Sequence, residues 1–130
     1  MSCKILIVED DPELQELYAA MLEAVDCQLI QVFDGKDAWQ ELQDTVPDLL
    51  ILDIILDEIM GDTLFAAIKD DPRYRAIPTI IVSVLSPGQC QHLLEMSPET
   101  TFLRKPFRKE QLLEAIIRNL GANGKKETSF

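Results

Sequence analysis

Four short apolar runs in this chain each end in residues able to do chemistry. ILIV at 5–8 passes directly into Glu9, Asp10 and Asp11, LLIL at 49–52 into Asp53, TIIV at 79–82 into Ser83, and Phe102-Leu103 into Arg104, Lys105 and Pro106. Short apolar runs alternating with helical patterns read as parallel strands covered on both faces. Open parallel sheets bind ligands at the carboxyl ends of their strands. Acids, a hydroxyl and an ammonium are therefore delivered to one sheet edge. The carboxylates of Glu9, Asp10 and Asp53 repel one another there unless a cation lies between them. Hard oxygen donors with room for water favour Mg²⁺, and no Cys/His set for zinc is present. A carboxylate can attack a phosphoryl group and carry it as an aspartyl phosphate. The phosphoryl oxygens then need Mg²⁺ on one side, the Lys105 ammonium on another and a hydrogen bond from Ser83. Taken singly, Asp10 and Asp11 are helix caps, Ser83 is a strand-end hydroxyl bonded to backbone and Lys105 is a solvated charge. Only their joint placement on one edge makes a site.

The elements that carry these residues follow from capping and periodicity. Asp11 caps a helix with Pro12 at its first position, and Leu14, Leu17, Met21 and Val25 recur at helical spacing, predicting a helix over 12–24 with that stripe buried. Residues 28–32 form a second strand ending at Asp34-Gly35. Ala38, Trp39 and Leu42 mark a second helix that Pro47 stops, Trp39 being a packing residue. Gly61 opens a short helix with Leu64, Phe65 and Ile68, and Pro78 introduces the fourth strand. Ser86-Pro87 starts a fourth helix with Cys90, Leu93 and Leu94 on its buried stripe and an exposed, idle His92. A short fifth strand at 101–103 precedes a last helix carrying Phe107, Leu112, Ile116 and Leu120, with Gly121 as its stop. Five strand–helix units in alternation predict a doubly wound α/β domain. A strand order of 2-1-3-4-5 brings Asp10, Asp53 and Ser83 together and puts the switch point between strands one and three.

At 130 residues the chain has the length of one domain. Its net charge of −11, from 23 acidic against 12 basic residues, sets it against nucleic acid and anionic membrane surfaces. The basic clusters Arg104-Lys105 with Arg108-Lys109, and Lys125-Lys126, are too short to reverse this. Cys3, Cys27 and Cys90 are odd in number and show no paired motif, so buried reduced thiols are expected. No apolar run is long enough for a signal-peptide core or a membrane span, which makes the cytoplasm the expected location.

The segments ILIVEDD (5–11), PDLLILDIILDEIMG (47–61), PTIIVSVLS (78–86) and FLRKPF (102–107) together resemble the receiver domain of two-component response regulators, the CheY-like fold. The resemblance runs from about Lys4 to Leu120 and implies the five-stranded order 2-1-3-4-5. The receiver domain is expected over 1–121 and a flexible, polar tail over 122–130, with no output domain in the chain. The resemblance matches Asp53 to the phosphoryl acceptor, Glu9 and Asp10 to the Mg²⁺-binding pair and the Ile55 backbone carbonyl to the third protein ligand. Asp10 would ligate directly and Glu9 mostly through water. Ser83 corresponds to the switch hydroxyl, Phe102 to the switch aromatic, and Lys105 to a lysine whose following proline, here Pro106, is cis-linked.

The implied partners are a sensor histidine kinase or histidine phosphotransfer protein and a downstream protein at the face of the fourth helix, fifth strand and fifth helix. The implied role is that of a signalling acceptor rather than an enzyme. Two departures stand out: Asp57 where the family commonly has proline, and Val84 where it has Ala or Gly. By the resemblance, Ile55 and Leu85 match the positions that flank the path of the hydrolytic water, and their apolar branches imply a long-lived phosphorylated state. The alternative is a pseudo-receiver that binds partners without phosphorylation. A flavodoxin-type flavin carrier is excluded by the acidic loop 9–12, which repels a phosphate.

Overall fold

The computed structural model describes residues 3–54, 61–86, 88–91 and 100–122. In chain order these form β1 (Cys3–Val8), α1 (Pro12–Met21), β2 (Cys27–Val32), α2 (Gly35–Asp44), β3 (Leu49–Asp53), α3 (Gly61–Asp70), β4 (Thr79–Ser83), a 3-10 turn (Gly88–Cys90), β5 (Thr101–Arg104) and α4 (Lys109–Ala122). The strands make one parallel sheet in the order β2-β1-β3-β4-β5, as the resemblance implies. Every residue of β3 and β4 is buried, which is why LLIL at 49–52 and IIV at 80–82 are continuous apolar runs. β2 lies at an edge, and most of its residues are only half-buried.

Side chains alternate between two cores. Leu6, Val8, Leu50, Leu52 and Ile81 pack with Ala38 and Leu42 of α2 and Phe65 and Ile68 of α3. Ile5, Ile7, Leu49, Ile51, Ile80 and Val82 pack on the opposite face with Tyr18 of α1 and Leu112 and Ile116 of α4. Trp39 is a packing residue, set edge-on to Tyr74 at 5.6 Å. Asp11 and Asp34 cap α1 and α2, accepting from Glu13 N at 3.0 Å and Asp37 N at 2.8 Å. Ser86 and Gln89 bond reciprocally, Gln89 N to Ser86 Oγ at 3.3 Å and Ser86 N to Gln89 Oε1 at 2.9 Å. The expected positions Ile55, Asp57, His92, Leu93 and Leu94 and the tail over 123–130 lie outside the described residues.

Several expectations are corrected, among them Phe107 in the last helix: it precedes α4, which begins at Lys109. α1 ends at Met21 rather than 24, and its buried positions are Gln15 and Tyr18, followed by Leu22. Leu14 and Met21 are only half-buried, and Leu17 is 47% exposed. The stripe sits one position over because it buries Tyr18, the bulkiest side chain of the helix, under Phe107. Gly121 lies inside α4, and a Cβ there would meet nothing within 4 Å, so the position does not require glycine. Finally, Cys3 and Cys27 are not separate thiols but a disulfide. They are direct partners in the β1–β2 register, with Cα atoms 4.5 Å apart, a pairing that a sequence separation of 24 conceals.

The disulfide yields a count. Denatured without reductant, the protein should expose one thiol, that of Cys90, and three after reduction. Reduction, or Cys27→Ser, should cost about 3 kcal/mol by loop entropy. Three reactive thiols before reduction would show that the pair is open.

Candidate functional site

Register decides which side chains meet at the carboxyl edge. Ile5, Ile7, Leu49, Ile51, Val82 and Leu103 all face the α1 and α4 side. Continuing the two-residue alternation brings Glu9, Asp53 and Lys105 out on that same side at the ends of β1, β3 and β5. The Lys105 ammonium lies 3.0 Å from Asp53 Oδ2 and 3.1 Å from Glu9 Oε1. Glu9 is 1% exposed and Asp53 4%, while Lys105 and Asp10 are half-buried. Oxygens of Glu9, Asp10 and Asp53 fall within 4.8 Å of one another.

Backbone contacts hold this arrangement. Lys105 N donates to Ser83 O at 2.8 Å, continuing the β4–β5 ladder. The Lys105–Pro106 bond is cis, as the resemblance implies. Phe107 then stacks on Tyr18 with ring centres 5.9 Å apart, tying the lysine loop to α1. Glu9 Oε2 accepts from Asp11 N at 3.2 Å, so the acidic turn partly solvates itself.

Electrostatics mark Glu9 as the stressed member. Burial, and then the charge of Asp53, push its carboxyl up from 4.5 to about 8, against the pull of Lys105. Burial also works against the Lys105 ammonium, but its hydrogen bond to Asp53, and the charges of Asp53 and Glu9, hold it above its ordinary value. Tyr18 is raised by burial and by the same two carboxylates. Glu9 Oε1 is buried without a well-directed hydrogen bond, the lysine being its ion-pair partner. Three crowded carboxylates offset by a single ammonium fit a small divalent cation such as Mg²⁺.

The remaining expected residues are placed as follows. Ser83 is fully buried at the end of β4, and its Oγ accepts from Leu85 N at 3.0 Å, so its own hydroxyl proton is available to donate. Phe102 pairs with Ile81 and packs half-buried on the α2–α3 side. By strand parity Ser83 shares that side with it, opposite to the Glu9–Asp53–Lys105 group. Ile55 and Asp57 fall outside the described residues. Val84 is 56% exposed beside the site. Sequence reasoning missed the Asp11 amide, Tyr18 and Gln15 as supports, because each acts through backbone or packing rather than through a reactive group.

The response regulator receiver domain model matches residues 5–117. The chain is 28% identical to protein PilG of Pseudomonas aeruginosa over 87% of its own length and 84% of PilG. It spans only 18% and 7% of two further, much longer curated relatives. Among solved structures it resembles the receiver domain of a signal transduction histidine kinase from Syntrophus aciditrophicus, with 33% identity, a TM-score of 0.86, and 97% and 96% of the two chains covered. It also resembles the receiver domain of the sensor histidine kinase PA1611 of P. aeruginosa, which has a magnesium ion coordinated in its active-site cleft. That likeness has 26% identity, a TM-score of 0.81, and coverage of 93% and 99%. The chain belongs to the response regulator receiver domain family of two-component signalling.

The stressed glutamate makes a pH prediction. Its folded-state value lies above its unfolded one, so folding favours the neutral form. That stabilisation is complete below 4.5 and is lost as pH rises through about 8. Metal-free protein should therefore lose thermal stability across that window, and Glu9→Gln should flatten the loss. Melting curves of both proteins over the window check this; parallel curves would contradict the assignment.

Proposed function

We propose that the domain accepts a phosphoryl group on Asp53 from a phosphohistidine of a sensor histidine kinase or histidine phosphotransfer protein. The observation that carries the proposal is the Asp53 carboxylate itself. It ends the central strand, contacts the Lys105 ammonium at 3.0 Å and lies within 4.8 Å of two further carboxylates. An Asp53 oxygen attacks phosphorus, the P–N bond breaks, and the imidazole leaves with its electron pair and takes up a proton. Lys105 stays on the acceptor side and neutralises an oxygen of the transferred group. Mg²⁺ held by Glu9, Asp10, Asp53 and the Ile55 carbonyl would neutralise another. The Ser83 hydroxyl proton supplies a hydrogen bond to a third.

Downstream, the role is that of a signalling acceptor rather than an enzyme acting on a separate substrate. Drawing the Ser83 hydroxyl toward the phosphoryl group vacates space on the α2–α3 side, into which Phe102 turns. That changes the surface around β5 and α4, where a downstream protein binds. A groove of about 460 Å³ lined by Leu14, Leu17, Met21, Val84 and Phe107 borders Lys105 and offers the donor protein an apolar seat. The net charge of −11 argues against nucleic acid as the partner. No helix among the described residues is long and apolar enough to cross a membrane. A cytoplasmic location fits a kinase as donor, although disulfides are rare there, and the thiol count given above bears on it.

Asp53→Asn keeps the shape and removes the nucleophile. It should abolish acid-labile labelling from a small acyl phosphate in Mg²⁺ while the protein still melts cooperatively. Undiminished labelling would remove Asp53 as the acceptor, and a wild type that takes no label but still binds partners would favour the pseudo-receiver. Ile55 and Leu85 offer no hydrogen bond to an attacking water. An Ile55→Asn, Leu85→Glu double variant should therefore lose its phosphoryl group faster, by about tenfold or more. Equal decay of labelled wild type and variant would show that these positions do not set the lifetime.

A further inference from the structure

The buried face of α1 holds one amide where an apolar residue would fit. Gln15 is 3% exposed and precedes Tyr18 and Leu22 on the same stripe. Burying a carboxamide is unfavourable unless its hydrogen bonds are made, and here they are made in one place. Its Nε2 donates to Val32 O at 2.8 Å, to Glu9 O at 3.2 Å and to Ile7 O at 3.3 Å. Its Oε1 accepts from Gln31 Nε2 at 2.7 Å, and the same Gln31 group also donates to Gln15 O at 2.7 Å. Gln31 thus fixes which way the Gln15 amide points.

The three carbonyls mark where β1 and β2 part. Their register ends at Val8–Val32, and Glu9 N to Val32 O, at 3.1 Å, is the last rung. Beyond it the chain carries the acidic pair. Gln15 closes this open end from the helix, joining both strand ends to the first turns of α1, where its own N–H bonds Asp11 O at 3.0 Å. Without it the peptide between Glu9 and Asp10 could turn, and the carboxylates it carries would move relative to Asp53. The polar group sits on the main chain of a proposed ligand residue, as outer-shell partners of metal sites do.

We propose that Gln15, oriented by Gln31, is a positioning residue that sets the geometry of the Glu9–Asp10 pair and thereby the domain's affinity for a divalent cation. The proposal rests on the Mg²⁺ reading of that pair.

The test compares wild type, Gln15→Met, Gln31→Met and a control, Val25→Ala, which removes packing from the same core at its far end. Two quantities are measured: the Mg²⁺ dissociation constant by calorimetry, and hydrogen exchange of the Glu9 amide in metal-free protein. Gln15→Met should bind Mg²⁺ about tenfold more weakly, the usual effect of losing an outer-shell partner, and its Glu9 amide should exchange faster. Gln31→Met should shift both in the same direction by less. Val25→Ala should change neither, whatever its melting temperature. Folded Gln15→Met with unchanged affinity and unchanged exchange overturns the proposal, as does a control that moves both quantities equally. If Gln15→Met does not fold, Gln31→Met decides by the same two readings. A wild type that binds no Mg²⁺ sinks the metal reading itself, whereas Glu9 exchange still reports whether Gln15 holds the strand end.

Discussion

Two acidic side chains, Glu9 and Asp53, are buried face to face at adjacent strand ends, with one lysine between them and a third acid, Asp10, alongside. Like charges at this spacing and burial are strongly unfavourable, and one ammonium offsets them only in part. The raised value of Glu9 is the residue of that imbalance. Much of the surrounding structure contains it. The parallel register sets the strand ends side by side, and the β4–β5 ladder carries Lys105 to within 3.0 Å of Asp53. The Tyr18–Phe107 stack ties the lysine loop to α1, and the Gln15 amide holds the backbone of Glu9. A site built under this tension would gain from a cation and then from an anion that the cation and Lys105 share, as the proposed phosphoryl transfer requires.

How much of this was legible depended on which physical signal each feature leaves. β3 and β4 are buried on both faces, so LLIL and TIIV announce them directly, and with the cap at Asp11 and the turn at Asp34-Gly35 they specify most of the alternation. Strand order is a tertiary property, and periodicity alone leaves it open; the resemblance supplied it. The convergence of Asp53, Glu9 and Lys105 followed from that order, because residues just beyond parallel strands share an edge. The cysteine pair was hidden for the converse reason. Nothing local links Cys3 to Cys27 until β1 and β2 are placed in register.

The misread face of α1 is more instructive. Apolar spacing favoured Leu14, Leu17 and Met21, yet the helix buries Gln15, Tyr18 and Leu22. A hydrophobic pattern counts an amide as outward-facing. It cannot register that several backbone carbonyls wait for that amide where β1 and β2 diverge. Tyr18 was undervalued for a related reason, since its large ring outweighs its hydroxyl in deciding which face turns inward. The leucine thereby left outside, Leu17, lines the groove beside Lys105, so the same rotation that braces the acidic pair also supplies an apolar surface next to it.

If the acidic trio is a cation site, its buried glutamate gives up its proton as the cation arrives. Calorimetric titration of metal-free protein with Mg²⁺ at neutral pH, repeated in buffers of different ionisation enthalpy, measures metal stoichiometry and proton release together. A single saturable Mg²⁺ site and release of about one proton are expected, with the release lost in Glu9→Gln. Saturable binding with no proton release, or no saturable binding at all, would contradict it.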